Sequence, residues 1–376
     1  MSIVSALRLS RVPMLGFIAI GLFWGSFAAA VPDIKANLGV GDRIFGLAML
    51  MNAAGLVIAM YLAPTIDYLL GRRSLQVSAV LFACVMPIPV LVDDIRMFAF
   101  GMAALGFGSG LLDVLINTRV SELEARHSRP LMNANHGMFS VAYAIIAFAM
   151  GLVRDSGGAP LGVFLTASAI VLAFAILMPM IPDFGDYDDD NSSGRLSLVV
   201  YVCGIIVLIA FMSEATVETW SALHIERTLG GNPAEGALGP ALLGLTMAIG
   251  RFSGQAVSER FSDISVLVVT TIMAAVGCTV AALAPTTLWA YVGFGILGLG
   301  VSVIGPIGLG LVGKFVTPAQ RSNAISKASI IGFSGFFVAP ALMGAVSEVF
   351  DLRIAYLCFT GLLLLMFPLI WAVARR

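Results

Sequence analysis

The sequence predicts an all-α membrane protein of twelve transmembrane helices in two pseudo-symmetric six-helix halves. Three observations predict it. The chain is too apolar to cover a water-facing surface: of 376 residues, 59% are hydrophobic and 11% charged, where a soluble domain carries roughly 25% charged residues. Apolar runs of about 20 residues, the length that spans a bilayer as helix, recur along the whole chain. Small motifs of the first half return in the second at nearly one offset.

The runs lie near 12–31, 44–65, 75–93, 96–119, 134–153, 159–181, 196–219, 236–257, 264–285, 287–312, 322–347 and 352–373. Twelve spans in 376 residues leave about 31 residues each, one crossing plus a short loop. None alternates polar and apolar residues as barrel strands do, so helices are preferred. The first run ends in Ala28-Ala29-Ala30, which looks cleavable, but it is too long for a signal peptide and eleven more follow.

Charge then sets the orientation, because Lys and Arg concentrate in cytoplasmic loops. With a cytoplasmic N-terminus the inside segments hold Arg8, Arg11, Arg72, Arg73, Arg119, Arg126, Arg129, Arg195, Arg260, Lys314, Arg321, Lys327, Arg375 and Arg376. The outside segments hold only Lys35, Arg43, Arg96, Arg154, Arg227 and Arg353, so both termini are expected inside. The net charge of −1 says nothing useful about nucleic acid, and no basic run suggests such a partner, so none is expected. Cys84, Cys203, Cys278 and Cys358 all sit in apolar segments and read as buried small hydrophobes. Three histidines without ligand spacing give no metal site, and no cofactor is expected.

The repetition is specific. Ile34, Leu38 and Gly39 recur as Ile225, Leu229 and Gly230, 191 positions on. Gly106-x-Gly108 recurs as Gly298-x-Gly300 after 192, and Gly151 as Gly344 after 193. The expected boundaries are an N-terminal half over 1–182, an acidic cytoplasmic linker over 183–195 and a C-terminal half over 196–376. Within the linker, Asp186, Asp188 and Asp190 match the first spacings of an EF-hand loop. Asn191 and Ser197 replace its glycine and closing glutamate, so it reads as a solvated hinge.

Residues 63–73 read Ala-Pro-Thr-Ile-Asp67-Tyr-Leu-Leu-Gly71-Arg72-Arg73. This resembles the loop signature of the major facilitator superfamily, Gly-x3-Asp-x3-Gly-Arg-Lys/Arg, with Ala63 in place of the first glycine. Gly250-Arg251-x2-Gly254-x4-Glu259-Arg260 looks like a degenerate second copy. Trp24 with Pro32-Asp-Ile-Lys35, Asp113-x3-Asn117, His136-Gly-Met-Phe-Ser140 and Glu218-x-Trp220-Ser221 resemble a poorly characterised bacterial branch near the fucose-type sugar permeases. The resemblance implies a multi-pass protein of the bacterial inner membrane, monomeric, with a small-molecule substrate and protons as partners besides the lipid. It also implies a conformational latch at Asp67, Gly71, Arg72 and Arg73. Asp67 would cap a helix of the other half and pair with an arginine there.

Polar residues inside the spans are the substrate and proton candidates. A charge at the bilayer centre costs roughly 2.5–3.5 kcal/mol, so such residues face the bundle interior. Asp113 shares a helix face with Gly106, Gly110 and Asn117. It reads either as a proton-coupling carboxylate or as a structural acid held by Arg119, Arg251 or Lys327. Glu214 and Glu218, four apart, put two acids on one face of span seven, which in the resembled family lines the cavity. Asn52, His136, Arg251 and Lys327 complete the polar set, with Arg251 or Lys327 able to neutralise Asp113 or hold an anionic substrate. Trp24 and Phe27 offer a stacking surface for a sugar ring or plain packing. Trp220 reads as an interfacial anchor.

No Gly-x4-Gly-Lys-[Ser/Thr] loop is present, so no ATPase and no enzyme is expected. The first functional reading is alternating-access, proton-coupled symport of a sugar or sugar derivative, inward. The alternatives are export of hydrophobic or amphipathic compounds, and a membrane sensor or partner protein that moves nothing.

Overall fold

The computed structural model describes residues 3–179, 196–258, 260–317 and 320–375. The whole acidic linker, 183–195, and Glu259 lie outside the described residues. The chain is helical throughout: α1 (Ile3–Leu9), α2 (Arg11–Leu38), α3 (Asp42–Leu70), a 3-10 turn (Gly71–Arg73), α4 (Ser74–Val85), α5 (Ile88–Leu91), α6 (Ile95–His127), α7 (Met132–Asp155) and α8 (Pro160–Leu177) precede the linker. After it come α9 (Leu198–Leu223), α10 (Pro233–Ser258), α11 (Asp263–Ala282), α12 (Thr287–Lys314), α13 (Arg321–Val349), α14 (Leu352–Leu364) and α15 (Met366–Ala374). Among the described residues, ten stretches are long and apolar enough to cross a membrane.

Several helices outrun the predicted apolar runs, which mark hydrocarbon depth and not helix length. α6 reaches His127, 33 residues in all, or about 50 Å at 1.5 Å per residue. The run expected at 75–93 is broken between Val85 and Ile88, where Pro87 offers no N–H to the turn before it. Local chemistry sets the ends. Asp94 accepts from the amides of Arg96 (2.8 Å) and Met97 (3.0 Å) to start α6, and Asp351 accepts from Ile354 (2.8 Å) to start α14.

The recurring glycines do matching work. Gly39 and Gly230 both take left-handed backbone, φ 61° and 73°, where the chain leaves α2 and the π turn His224–Thr228 that continues α9. Gly106 lies against the backbone of Asn52 on α3, and Gly298 against Leu243 and Thr246 on α10. Gly108 meets Phe82 of α4, and Gly300 meets Thr270 and Ala274 of α11. α6 thus sits between α3 and α4 as α12 sits between α10 and α11. Gly151 of α7 packs on Ala237 of α10, while Gly344 of α13 packs on Asp42 of α3. These last two join helices from opposite sides of the linker.

The α7–α10 seam has heptad spacing in antiparallel register. Gly151 faces Ala237, Ala144 faces Gly244, and Gly137 faces Phe252 beside Arg251. Small residues at such a seam let the two backbones approach closely, the main source of helix association in lipid.

A side chain at Gly106 must therefore displace α6 from α3. Gly106→Leu is expected to lower stability by about 1–3 kcal/mol, as overpacking does. Gly361→Leu, placed where a Cβ meets nothing within 4 Å, serves as its control. Melting curves of the two detergent-purified variants check this, with a clear drop in Tm expected only for the first.

Candidate functional site

The charged residues gather in three places: the two ends of the bundle and a cluster between them. At the end holding Asp33 and Asp42, two networks cross between the helices before the linker and those after it. Arg154, 6% exposed at the end of α7, donates to Asp33 of α2 (2.6 and 2.9 Å), to the Ala29 carbonyl (2.9 Å), and to Glu226 of the π turn after α9 (2.7 and 3.1 Å). Asp42, 3% exposed, accepts from Arg227 (2.6 and 2.8 Å) and Ser347 (2.8 Å) and pairs with Lys35 at 3.0 Å. Glu348 of α13 accepts from the Asp42 amide at 2.6 Å, so a carboxylate from beyond the linker caps the start of α3. Gly41 leaves room for it, since a Cβ there would meet the Glu348 carboxylate.

None of these residues was a sequence candidate. Arg154 and Arg227 entered only as topology markers, and Lys35 as one of those and, with Asp33, as part of the Pro32-Asp-Ile-Lys35 stretch. The available signal was opposite charge at matching span ends, Asp33-x-Lys35 against Glu226-Arg227.

The central cluster is built on three helices. On α7, His136, Ser140 and Tyr143 recur at i, i+4 and i+7 and so share one face. Gly244 of α10 lies against Tyr143 and the Ser140 carbonyl, which draws α10 close enough for Arg251, seven residues on, to cross. Arg251 donates to the Ser140 hydroxyl (2.5 Å), the His136 carbonyl (3.4 Å) and the Glu214 carboxylate of α9 (3.2 Å). Its guanidinium stands 5.8 Å from the Phe139 ring centroid. Glu218, one turn after Glu214, lies within electrostatic reach of Glu214, Arg251 and Tyr143. It is part-exposed and makes no hydrogen bond among the described residues. The Tyr143 hydroxyl is buried without a partner.

The structure thus brings together His136, Glu214, Glu218 and Arg251, with Ser140 and Tyr143 added. It does not bring the other candidates to them. Asp113 is part-buried on α6 and is held by Asn117 alone, whose amide donates to its carboxylate (3.1 Å) and its carbonyl (2.8 Å). None of the three suggested cationic partners pairs with it: Arg119 is taken by Asp67 and Glu122, and Arg251 by Glu214. Lys327 is exposed on α13 and makes no ion pair among the described residues. Asn52 is buried and reaches the Met102 carbonyl at 3.4 Å, so it ties α3 to α6. Trp24 is part-exposed, but Phe27 is 1% exposed and stacks on Phe23, so it is core and not a sugar platform. Trp220 is fully buried at a junction of α3, α9 and α13, against Phe45 and Gly344, because that glycine leaves room for the indole. It is not an interfacial anchor.

At the opposite end, Asp67 pairs with Arg119 of α6 (2.7 and 2.9 Å), and Arg119 also reaches Glu122 (2.8 Å). The partner expected beyond the linker is therefore found before it, because α3 and α6 pack along their length and carry both side chains to one end. Gly71 takes φ 52° as α3 ends, and Arg72 and Arg73 are exposed. Lys314 likewise pairs with Asp263 within the later helices.

Comparison with known proteins meets this geometry. Residues 203–376 match the family profile of the Major Facilitator Superfamily. The whole chain superposes on crystal structures of that architecture: on the nucleoside transporter NupG with TM-score 0.73 and 14% identity, covering 100% of both chains. A D-xylose–proton symporter gives 0.74 and 16%, covering 97% of this chain and 98% of that one. The fold is therefore that of these transporters, and the profile match covers the helices after the linker. It is 26% identical over 367 residues to an uncharacterised MFS-type transporter of Yersinia pestis, covering 96% of this chain and 94% of that one. To the membrane protein MosC of Rhizobium meliloti it is 25% identical over 345 residues, covering 90% and 83%. The profile match, the Yersinia pestis relative and the shared fold are those of membrane-spanning transporters, not of enzymes.

Glu226→Gln removes the arm of Arg154 that crosses the linker boundary and leaves Asp33 in place. The loss is expected near 1.5–3 kcal/mol, the worth of a hydrogen bond to a charged group. Spin labels at Asp93 and Thr286, on a background lacking Cys84 and Cys358, are expected to report a longer, broader distance at this end in the variant.

Proposed function

We propose that the chain is a secondary active transporter that takes up a small polar solute, a sugar or sugar derivative, across the bacterial inner membrane with protons. Its twelve crossings count Asp42–Leu91 as two and include α10, and they form six-helix halves over 1–182 and 196–376 around the 183–195 linker. The matched packing of Gly106 with Gly298 and of Gly151 with Gly344 supports the halves. Both termini lie in the cytoplasm, and the protein works as a monomer.

The observation that carries the reading is the central cluster. Arg251, Glu214 and Ser140 bridge the two halves between the ends, where a rocking transporter of two such halves holds its substrate. Polar groups in a bilayer must be satisfied inside the protein, so this cluster disfavours a greasy efflux pocket. It also disfavours a protein that moves nothing, since a purely structural core is more stable without buried ions. One protein of the same fold carries D-xylose with protons.

In this reading the state is inward-facing. The Arg154 and Asp42 networks seal the outer end, and Asp67 rests on Arg119 within its own half. Outward opening breaks the two outer networks, and the Asp67 loop with Gly71, Arg72 and Arg73 then latches the closed cytoplasmic end. Asp67→Asn is therefore expected to weaken the outward-facing state. Unchanged cross-linking at the cytoplasmic end would remove the latch role.

Proton coupling is assigned to Asp113, with Asn117 holding it, and a coupling or substrate role to at least one acid of the pair on α9. The test is uptake into proteoliposomes under an imposed pH gradient, with sugars and sugar derivatives as solutes. Arg251→Gln is expected to lose uptake by on the order of a hundredfold, as removal of one partner from a buried hydrogen-bonded charge pair does. Asp113→Asn is expected to retain counterflow exchange while losing gradient-driven accumulation. Accumulation that survives in Asp113→Asn would return that acid to a structural role.

A further inference from the structure

Resting on the proposed central site, the charges within it fix what kind of solute it accepts. Arg251 was the sequence's candidate for holding an anionic substrate. Its guanidinium is already engaged by Glu214, Ser140, the His136 carbonyl and the Phe139 face. A carboxylate or phosphate entering the cavity would have to displace Glu214 from it, leaving that buried acid, 4% exposed at its side chain, without a partner. Such displacement costs more than an exposed pair would, because the released charge stays out of water.

Glu218 is the group left over. It stands one helical turn from Glu214 on the same face, part-exposed, and no side chain among the described residues donates to it. The groups that face it are Glu214 on its own helix, Arg251 from α10, and Tyr143 from α7. Two carboxylates stand against one guanidinium. A second observation points the same way: the Tyr143 hydroxyl, on a side chain 1% exposed, has no hydrogen-bond partner. A buried hydroxyl left unpaired costs about 1–3 kcal/mol, which a ligand atom accepting or donating there would recover.

We propose that the central site takes a solute carrying a protonated amine, with the ammonium seated on the Glu218 carboxylate and a polar atom of the solute on the Tyr143 hydroxyl, while Arg251 and Glu214 stay paired as a neutral strut. An ammonium offers three donors and a compact charge, which matches a lone carboxylate with open lone pairs. A neutral polyol would leave the second acid uncompensated. An amine-bearing sugar derivative satisfies both the acid and the polar walls.

The test is thermal stabilisation and tryptophan-quench titration of the purified protein with glucosamine, N-acetylglucosamine, glucose and glucuronate. Ethanolamine, choline and putrescine are added as amines of other shapes. The expected result is a shift with one or more amines, none with glucuronate, and a Kd for the amine weakened by on the order of a hundredfold in Glu218→Gln. Tyr143→Phe, which removes only one oxygen from a buried ring, is expected to weaken it about tenfold. A shift confined to neutral or anionic members overturns the amine assignment and leaves the central site standing. So does an amine shift that Glu218→Gln and Tyr143→Phe both leave unchanged. A panel in which no member of any charge shifts the melting overturns the amine assignment and the central-site reading together.

Discussion

Arg251 crosses from α10 to α7 and α9, and the middle of the molecule is organised around that crossing. The reach depends on backbone proximity. With Gly151 on Ala237, Gly244 on Ala144 and Tyr143, and Gly137 beside Phe252, each of these contacts on the α7–α10 seam has a glycine on one side. A bulky residue anywhere along it would push α10 away and leave a guanidinium in the bilayer interior without acceptors. In lipid that is the costly outcome, because no water can replace a lost partner. Small residues and the buried ion pair are therefore one arrangement: the glycines set the distance that the charges need.

The ends obey the same constraint differently. At the Asp42 end charges also pair across the linker boundary, and buried Arg154 meets two acids and a carbonyl. At the Asp67 end the described pairs, Asp67 with Arg119 and Lys314 with Asp263, lie within a half. A cap from one half onto a helix of the other does occur, but at the Asp42 end, where Glu348 caps α3. A carboxylate at a helix start is worth a few tenths to about 2 kcal/mol. Contacts of that size hold one end shut yet can be exchanged for others of similar worth.

Much of this was legible in the sequence, for identifiable reasons. The helices were readable because bilayer thickness forces long apolar runs, and the repeat because Gly106, Gly108 and Gly151 return as Gly298, Gly300 and Gly344. What those glycines touch was not readable, since it depends on which helices become neighbours. Glu214 and Glu218 were found because a four-residue spacing is local. Arg154 with Glu226 and Asp42 with Arg227 were missed because their partners lie 72 and 185 positions apart. For Trp24 and Phe27 the sequence left stacking surface and plain packing both open, because three residues on one helix share a face only approximately. Phe27 turns toward Phe23 and the core, and Trp24 keeps part of its indole exposed. The partner of Asp67 was sought beyond the linker by family analogy, and the α3–α6 packing supplies a nearer one.

The acids of the interior then divide by partner. Glu214 has a cation, Asp113 has only the amide of Asn117, and Glu218 has neither among the described residues. An amide donor relieves part of a carboxylate's desolvation but cannot balance its charge, so on the proposed reading Asp113 and Glu218 are the two acids that answer to what enters the cavity. They sit on α6 and α9, on opposite sides of the linker. A proton or cation arriving at one lowers the cost of burying that half's face without touching the other. In the proposed transport cycle, two uncompensated acids on opposite sides of the linker give a rocking molecule two independent reasons to wait before it closes, one for each ligand, and that separation is what coupling two solutes in a single cycle requires.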